Sequence, residues 1–60
     1  MSDHKFKVGQ LVYARFPDGP GGVYQITQLL PPTSEGPQYR MKSQAEPHER
    51  AAKESALKAA

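Results

Sequence analysis

Residues 6–30 read FKVGQLVYARFPDGPGGVYQITQLL, and this stretch decides the fold. A period of two, with Val12, Ala14 and Phe16 on one parity and Leu11, Tyr13 and Arg15 on the other, predicts a β-strand over residues 10–16. Residues 17–22, PDGPGG, supply glycines that tolerate the positive φ angles of a tight reversal. Residues 22–30 then return to a strand-like composition, with apolar side chains at both parities. We therefore predict an antiparallel hairpin whose second strand is central in its sheet.

A third strand is predicted after a loop. Residues 31–37, PPTSEGP, interrupt the second strand, because proline cannot donate a ladder hydrogen bond and its neighbours favour turns. Residues 38–43, QYRMKS, alternate again, with Tyr39 on one face and the cations Arg40 and Lys42 on the other. This pattern is typical of a strand with one face in water.

The tail admits two interpretations. Ser43 and Glu46 have the spacing of a helical capping box, and residues 49–60 are rich in Ala, Glu and Lys, which favours a helix. The competing interpretation is a short strand over residues 49–53 followed by a tight turn over residues 54–57. The alanine-rich composition would give a helix little apolar surface to bury, and the sequence leaves both alternatives open.

Together these elements predict an all-β, SH3-like (Tudor-like) fold, a small barrel of four to five strongly bent antiparallel strands with room for a short helical turn at the C-terminus. We expect one domain over residues 6–57, with residues 1–5 and 58–60 as flexible ends. The side chains expected to supply much of the core are Val8, Val12, Ala14, Val23, Ile26, Leu29, Tyr39 and Met41.

Composition limits what such a chain can do. It has 60 residues with no cysteine and no tryptophan, which is enough for one small domain and excludes disulfides, thiolate zinc sites and iron–sulfur clusters. We expect neither a membrane span nor a signal peptide, and hence a cytoplasmic location. Eight Lys and Arg against six Asp and Glu give a net charge of +2, which permits contact with nucleic acid without demanding it.

Residues 7–29 resemble the opening of a Tudor domain, a family in the SH3-like barrel class. The resemblance is carried by Val8-Gly9, Val12, Ala14, Phe16, the turn Asp18-Gly19 and Tyr24. The later stretches, residues 38–43 and 46–57, resemble short bacterial proteins that consist of one such barrel.

The Tudor resemblance implies an aromatic cage that would hold a methylated Lys or Arg by cation–π attraction. Phe16 and Tyr24 match two cage positions, and Tyr39 is a candidate third wall. The same three side chains would line the groove of a protein–peptide interaction module. The competing interpretation is that Phe16 and Tyr24 only close the ends of a small core.

A second candidate surface combines aromatic and basic side chains, the combination with which small barrels stack bases and neutralise phosphates. Tyr13 and Arg15 should point the same way on the first strand, and Arg40 and Lys42 should share the wet face of the third. The cations that would extend this patch are Lys5, Lys7 and Arg50. The competing interpretation is an ordinary solvated face whose charges serve solubility.

Catalysis is not expected. His4 and His48 are far apart in sequence and lack the spacing of a zinc site, so we expect no metal and no cofactor. Glu46, His48 and Glu49 form a titratable cluster that fits a turn capped by its own polar groups better than an active site.

The leading hypothesis is a non-catalytic module that contacts nucleic acid or a nucleoprotein complex. Alternatives are a peptide-binding module or a structural subunit of a larger assembly. We expect no small-molecule substrate and a monomer when the chain is isolated.

Overall fold

A computed structural model describes residues 4–17 and 21–60 of the chain. Among these residues it contains five β-strands and one short 3₁₀ turn, and these elements are β1 Leu11–Ala14, β2 Gly22–Thr33, β3 Gly36–Lys42, β4 Glu49–Lys53, the turn Glu54–Ala56 and β5 Leu57–Ala59. The strands form one antiparallel sheet in the order β4-β3-β2-β1-β5. The predicted all-β class, the antiparallel small-barrel architecture and the short helical turn are confirmed. The predicted Asp18-Gly19 turn lies outside the described residues.

The central strand β2 is longer than predicted and bends. It continues through Pro31 and Pro32 to Thr33, so only two residues remain in the turn before β3. Its register with β3 shifts after Ile26 and again between Leu30 and Thr33. The first shift leaves Thr27 as the extra residue of a bulge, and the second falls where two prolines cannot donate ladder hydrogen bonds. These irregularities let one long strand pair with β1 at its start and with β3 along most of its length.

The tail is the strand and turn of the second interpretation. Residues 49–53 form β4, which pairs with β3, and the 3₁₀ turn follows at once. The chain then returns as β5 to the free side of β1, with Leu57 opposite Ala14 and Ala59 opposite Val12. The Ala60 amide also donates to the Leu11 carbonyl oxygen at 3.1 Å. Residues 58–60, which the sequence suggested as a flexible end, therefore extend the sheet.

The core is built from one face of each strand. Its buried side chains are Phe6, Val12, Ala14, Tyr24, Ile26, Tyr39, Met41 and Leu57, with Phe16 and Ala52 packed against them. Five of the eight predicted core residues are in this cluster. Phe6, Tyr24 and Leu57 complete it.

The other three predicted core residues, Val8, Val23 and Leu29, are exposed, and the prediction was wrong for them. Val8 precedes Gly9, whose φ of 90° breaks the alternation before β1 begins. Val23 has the parity opposite to Tyr24 and so faces outward. Leu29 lies on a part of β2 that only β3 flanks, because β1 pairs with β2 no further than Gln25.

Hydrogen bonds attach the segment before β1 to the sheet, among them that from the Gly9 amide to the Ile26 carbonyl oxygen at 2.7 Å. The ring Nε2 of His4 lies 2.7 Å from the Leu30 carbonyl oxygen and 3.1 Å from that of Gln38, so its N–H donates between two strands. The amide of Phe6 donates to the Tyr39 hydroxyl at 3.0 Å. Residues 4 and 5, suggested as part of a flexible end, are therefore in contact with the domain. In the described part of the chain, no helix has the length or hydropathy needed to cross a membrane.

Candidate functional site

The outward face of β1 presents large side chains to solvent. Leu11 and Tyr13 alternate with the buried Val12 and Ala14, and Tyr13 is 52% exposed. Tyr13 lies directly opposite Val23 of β2 on one side and Lys58 of β5 on the other. The register therefore places an exposed aromatic ring between an apolar side chain and a cation.

A shallow cleft opens beside this ring, which we call the Tyr13 cleft. It has a volume of about 550 Å³, and its chemistry-bearing walls are Tyr13, Arg15, Ser55 and Lys58. None of the described residues that line it carries a carboxylate. Tyr13 and Arg15 both line this cleft, and Lys58 adds a second cation that the sequence did not indicate.

A second cleft lies further along the same face, and we call it the Val23 cleft. It has a volume of about 760 Å³, with Leu11 and Val23 as apolar walls and with polar groups from Gln25, Lys42 and Gln44. It too lacks carboxylates among the described residues that line it. By contrast, a third cleft of about 300 Å³ contains Lys5 together with the carboxylates of Glu35 and Glu54.

The two cations predicted on β3 occupy different positions relative to these clefts. Lys42 lies opposite Gln25 and forms part of the Val23 cleft. Arg40 is exposed on the same face of β3, two residues along, where it lies opposite Gln28. The structure therefore brings Lys42 next to the β1–β2 surface and places Arg40 at its flank. Their neighbour Glu49 is hydrogen bonded to Thr27.

The Phe16 and Tyr24 rings are in contact, and a cation of the chain itself lies against the Phe16 ring. Their ring centroids lie 5.4 Å apart at 77°, an edge-to-face contact. The guanidinium carbon of Arg50 lies 4.7 Å from the Phe16 ring centroid. Its Nε and Nη2 donate to the two carboxylate oxygens of Glu46, each at 2.7 Å, and the Tyr24 hydroxyl donates to Glu46 at 3.1 Å. Arg50 thus lies against the Phe16 ring, at which a Tudor-like cage would hold a methylated Lys or Arg.

Tyr39 makes a different set of contacts within the core. It contacts His4 and Phe6, with ring centroids 5.0 and 5.6 Å away, and its hydroxyl donates to the Glu54 carboxylate. Tyr24 and Tyr39 are only 1% and 0% exposed. The structure therefore does not present Phe16, Tyr24 and Tyr39 as an open groove, because two of the three rings are needed to fill the core.

These contacts shift the ionisation of the groups involved. Hydrogen bonding to the Arg50 guanidinium lowers the pKa of Glu46 from 4.5 to about 2, against the opposing effect of burial. The hydrogen bond from Tyr39 likewise lowers the pKa of Glu54. Burial, reinforced by these carboxylates, raises the pKa of Tyr24 and of Tyr39 above 10.0. Both glutamates therefore remain charged but are engaged within the fold.

The titratable side chains do not assemble into a metal centre within the described residues. His4 is hydrogen bonded to backbone carbonyls. His48 lies 3.7 Å from Glu46, whose carboxylate is already engaged by Arg50, and Glu49 is bonded elsewhere. The cluster of Glu46, His48 and Glu49 suggested by the sequence is thus divided between two faces of the sheet.

Sequence reasoning missed Lys58, Ser55 and Val23 as parts of the exposed surface. Lys58 lies on β5 between the buried Leu57 and the exposed Ala59. The alanines around it hide this short strand from a reading of the sequence pattern. Comparison with protein-family models, with curated proteins and with solved structures found no match.

Proposed function

We propose that this protein is a non-catalytic module that contacts nucleic acid, alone or within a nucleoprotein complex. The observation that carries the proposal is the exposed ring of Tyr13 beside the cations Arg15 and Lys58, in a cleft without a carboxylate from the described residues. A base can stack on an aromatic face while neighbouring cations neutralise its phosphates. We also propose that the small barrel is of the SH3-like class, on the strength of the Tudor resemblance and of the antiparallel five-stranded sheet.

The charge distribution supports an anionic ligand more than the net charge of +2 does. The Glu46 carboxylate is paired with Arg50 beneath the surface, so it does not weaken the positive field of the Tyr13 cleft. Arg15 and Lys58, by contrast, remain at the surface. Such an arrangement attracts phosphates over a short range even when the whole chain is only weakly basic.

The same contacts support the proposal of a non-catalytic role. Nucleophilic and acid–base catalysis need a titratable group that faces the substrate and is not committed elsewhere. Glu46 accepts hydrogen bonds from Tyr24 and Arg50, and Glu54 accepts one from Tyr39. The Tyr13 cleft contributes cations, an aromatic ring and the Ser55 hydroxyl, which suit binding rather than bond breaking.

The proposal is tested by fluorescence anisotropy with labelled oligonucleotides of about eight nucleotides, a length suited to one small barrel, at low salt. We expect binding by the native chain and a loss of about threefold to tenfold in affinity for Arg15→Gln and for Lys58→Gln, because each removes one phosphate contact. Lys53→Gln is the matched control, since Lys53 lies on β4 and is paired with Glu35 at 3.5 Å. Absence of binding at low salt, or equal losses for all three variants, would contradict the proposal.

A further inference from the structure

We propose that the ligand is a single strand that crosses β5, β1, β2 and β3 and places one base in the Val23 cleft. This inference rests on the proposed function and specifies its ligand. It concerns the whole outward surface from Lys58 to Lys42, and not the Tyr13 cleft alone.

The register of the sheet aligns the two clefts along one path. Lys58, Tyr13 and Val23 are direct neighbours across β5, β1 and β2. Two residues along the strands, a second row of direct neighbours across β1, β2 and β3 consists of Leu11, Gln25 and Lys42. The path therefore begins and ends at a lysine and has an aromatic ring and aliphatic side chains between them. Because adjacent strands lie about 4.8 Å apart and the two rows lie two residues of about 3.4 Å apart along the strands, the two lysine backbones are separated by roughly 16 Å, the reach of a few nucleotides.

The middle of this path is apolar, and that favours a single strand over a duplex. A duplex presents phosphates and sugars to a flat protein surface and keeps the faces of its bases stacked inside. It would leave Leu11, Tyr13 and Val23 without a suitable partner. A single strand offers unpaired bases that stack on rings and enter apolar clefts.

The walls of the Val23 cleft match the chemistry of a base. Leu11 and Val23 provide apolar contact for its ring, and the amides of Gln25 and Gln44 provide donors and acceptors for its polar edge. Lys42 lies at the same cleft for the adjoining phosphate. The third cleft is unsuited to this role, because Glu35 and Glu54 would repel phosphates there.

The test compares three probes of equal length on the native chain: a thymidine single strand, the same strand with abasic sites, and a duplex. We expect the single strand to bind roughly tenfold or more tightly than the abasic strand, since stacking contributes about 1–3 kcal/mol per base. The duplex should also bind more weakly than the single strand. Equal affinity for all three probes would overturn the inference while leaving nucleic-acid binding intact.

Variants then locate the base. Val23→Ala and Leu11→Ala should each weaken single-strand affinity severalfold and leave affinity for the abasic strand unchanged. Leu29→Ala is the matched control, because Leu29 is an exposed aliphatic residue of the same sheet that lines neither cleft. Thermal unfolding confirms that each variant is folded. If the Val23 and Leu11 variants bind like the control, the base does not enter this cleft. If no probe binds the native chain, the proposed function itself fails.

Discussion

Arg50 binds an anion and an aromatic ring with the same planar group. Its guanidinium meets both oxygens of Glu46 and lies over Phe16. A guanidinium is suited to this double role, because its fork matches a carboxylate and its flat face stacks on a ring. The side chains of Arg50 and Glu46 are only 14% and 8% exposed, so water screens their attraction weakly. Arg50 therefore links β4 to Glu46 in the loop before it and to Phe16 in the connection between β1 and β2.

Removal of this guanidinium should be costly. We expect Arg50→Met to lower the free energy of unfolding by clearly more than an exposed pair contributes, because the Glu46 carboxylate would lose its charged donor. Lys53→Met is the matched control, since Lys53 and Glu35 are 46% and 63% exposed and such pairs contribute about 0–1 kcal/mol. Urea denaturation followed by circular dichroism gives both values. Equal losses would mean that the Arg50 pair behaves as an ordinary surface pair.

The same pair predicts how stability depends on acid. The pKa of Glu46 is depressed to about 2 in the folded chain, whereas an unfolded chain has its ordinary value of 4.5. The stabilisation is therefore fully present above pH 4.5 and is lost as the pH falls through the folded value near 2. Urea titrations between neutral pH and pH 2 should show this decline, and Glu46→Gln should make it shallower. A variant with the same acid dependence as the native chain would contradict the assignment.

At the scale of the elements, the sequence was most informative in the strands whose side chains alternate between the two faces without interruption. The alternation around Tyr13 and that around Tyr39 predicted β1 and β3 and the face that each residue occupies. β2 was harder, because both its parities carry apolar residues and a bulge at Thr27 changes the parity midway. Local pattern cannot reveal such a bulge, because it is defined by pairing with another strand.

The candidate site was predictable only in part, for a related reason. Tyr13 and Arg15 lie on one strand, so their shared face follows from local alternation. Lys58 reaches the same cleft through β5, whose alanines resemble a helical or frayed end. Its position depends on the pairing of β5 with β1, a contact between residues far apart in sequence. The contact of Arg50 with the Phe16 ring likewise joins residues that are far apart in sequence.

The contribution of β5 can be measured with one pair of leucines. Leu57 is 7% exposed and sits in the core, whereas Leu29 is 36% exposed. Leu57→Ala should therefore destabilise the fold by about 2–4 kcal/mol, the usual cost of emptying a buried leucine site. Leu29→Ala should cost less than about 1 kcal/mol by the same denaturation experiment. The reverse order would mean that β5 does not complete the core.

At the scale of the whole molecule, the distribution of charge matters more than its sum. The exposed cations Arg15, Arg40, Lys42 and Lys58 lie on the outward face of the sheet with the Glu49 carboxylate opposite Lys42, whereas Glu46 is paired with Arg50 within the fold. A chain with a net charge of +2 thus presents a more basic face than its composition suggests. Binding through that face must depend on salt, because phosphate contacts release counterions from the nucleic acid.

This dependence gives a quantitative prediction for the native chain. Three or four phosphate contacts on a single strand correspond to a slope of about −2 to −3 for log affinity against log salt concentration. Raising salt from about 50 to 200 mM should therefore weaken binding roughly 20- to 50-fold. Lys58→Gln should make the slope shallower by about 0.7, whereas Lys53→Gln should leave it unchanged. A flat salt dependence would show that the ligand is held by something other than its phosphates, and an unaltered slope for Lys58→Gln would remove Lys58 from the contact.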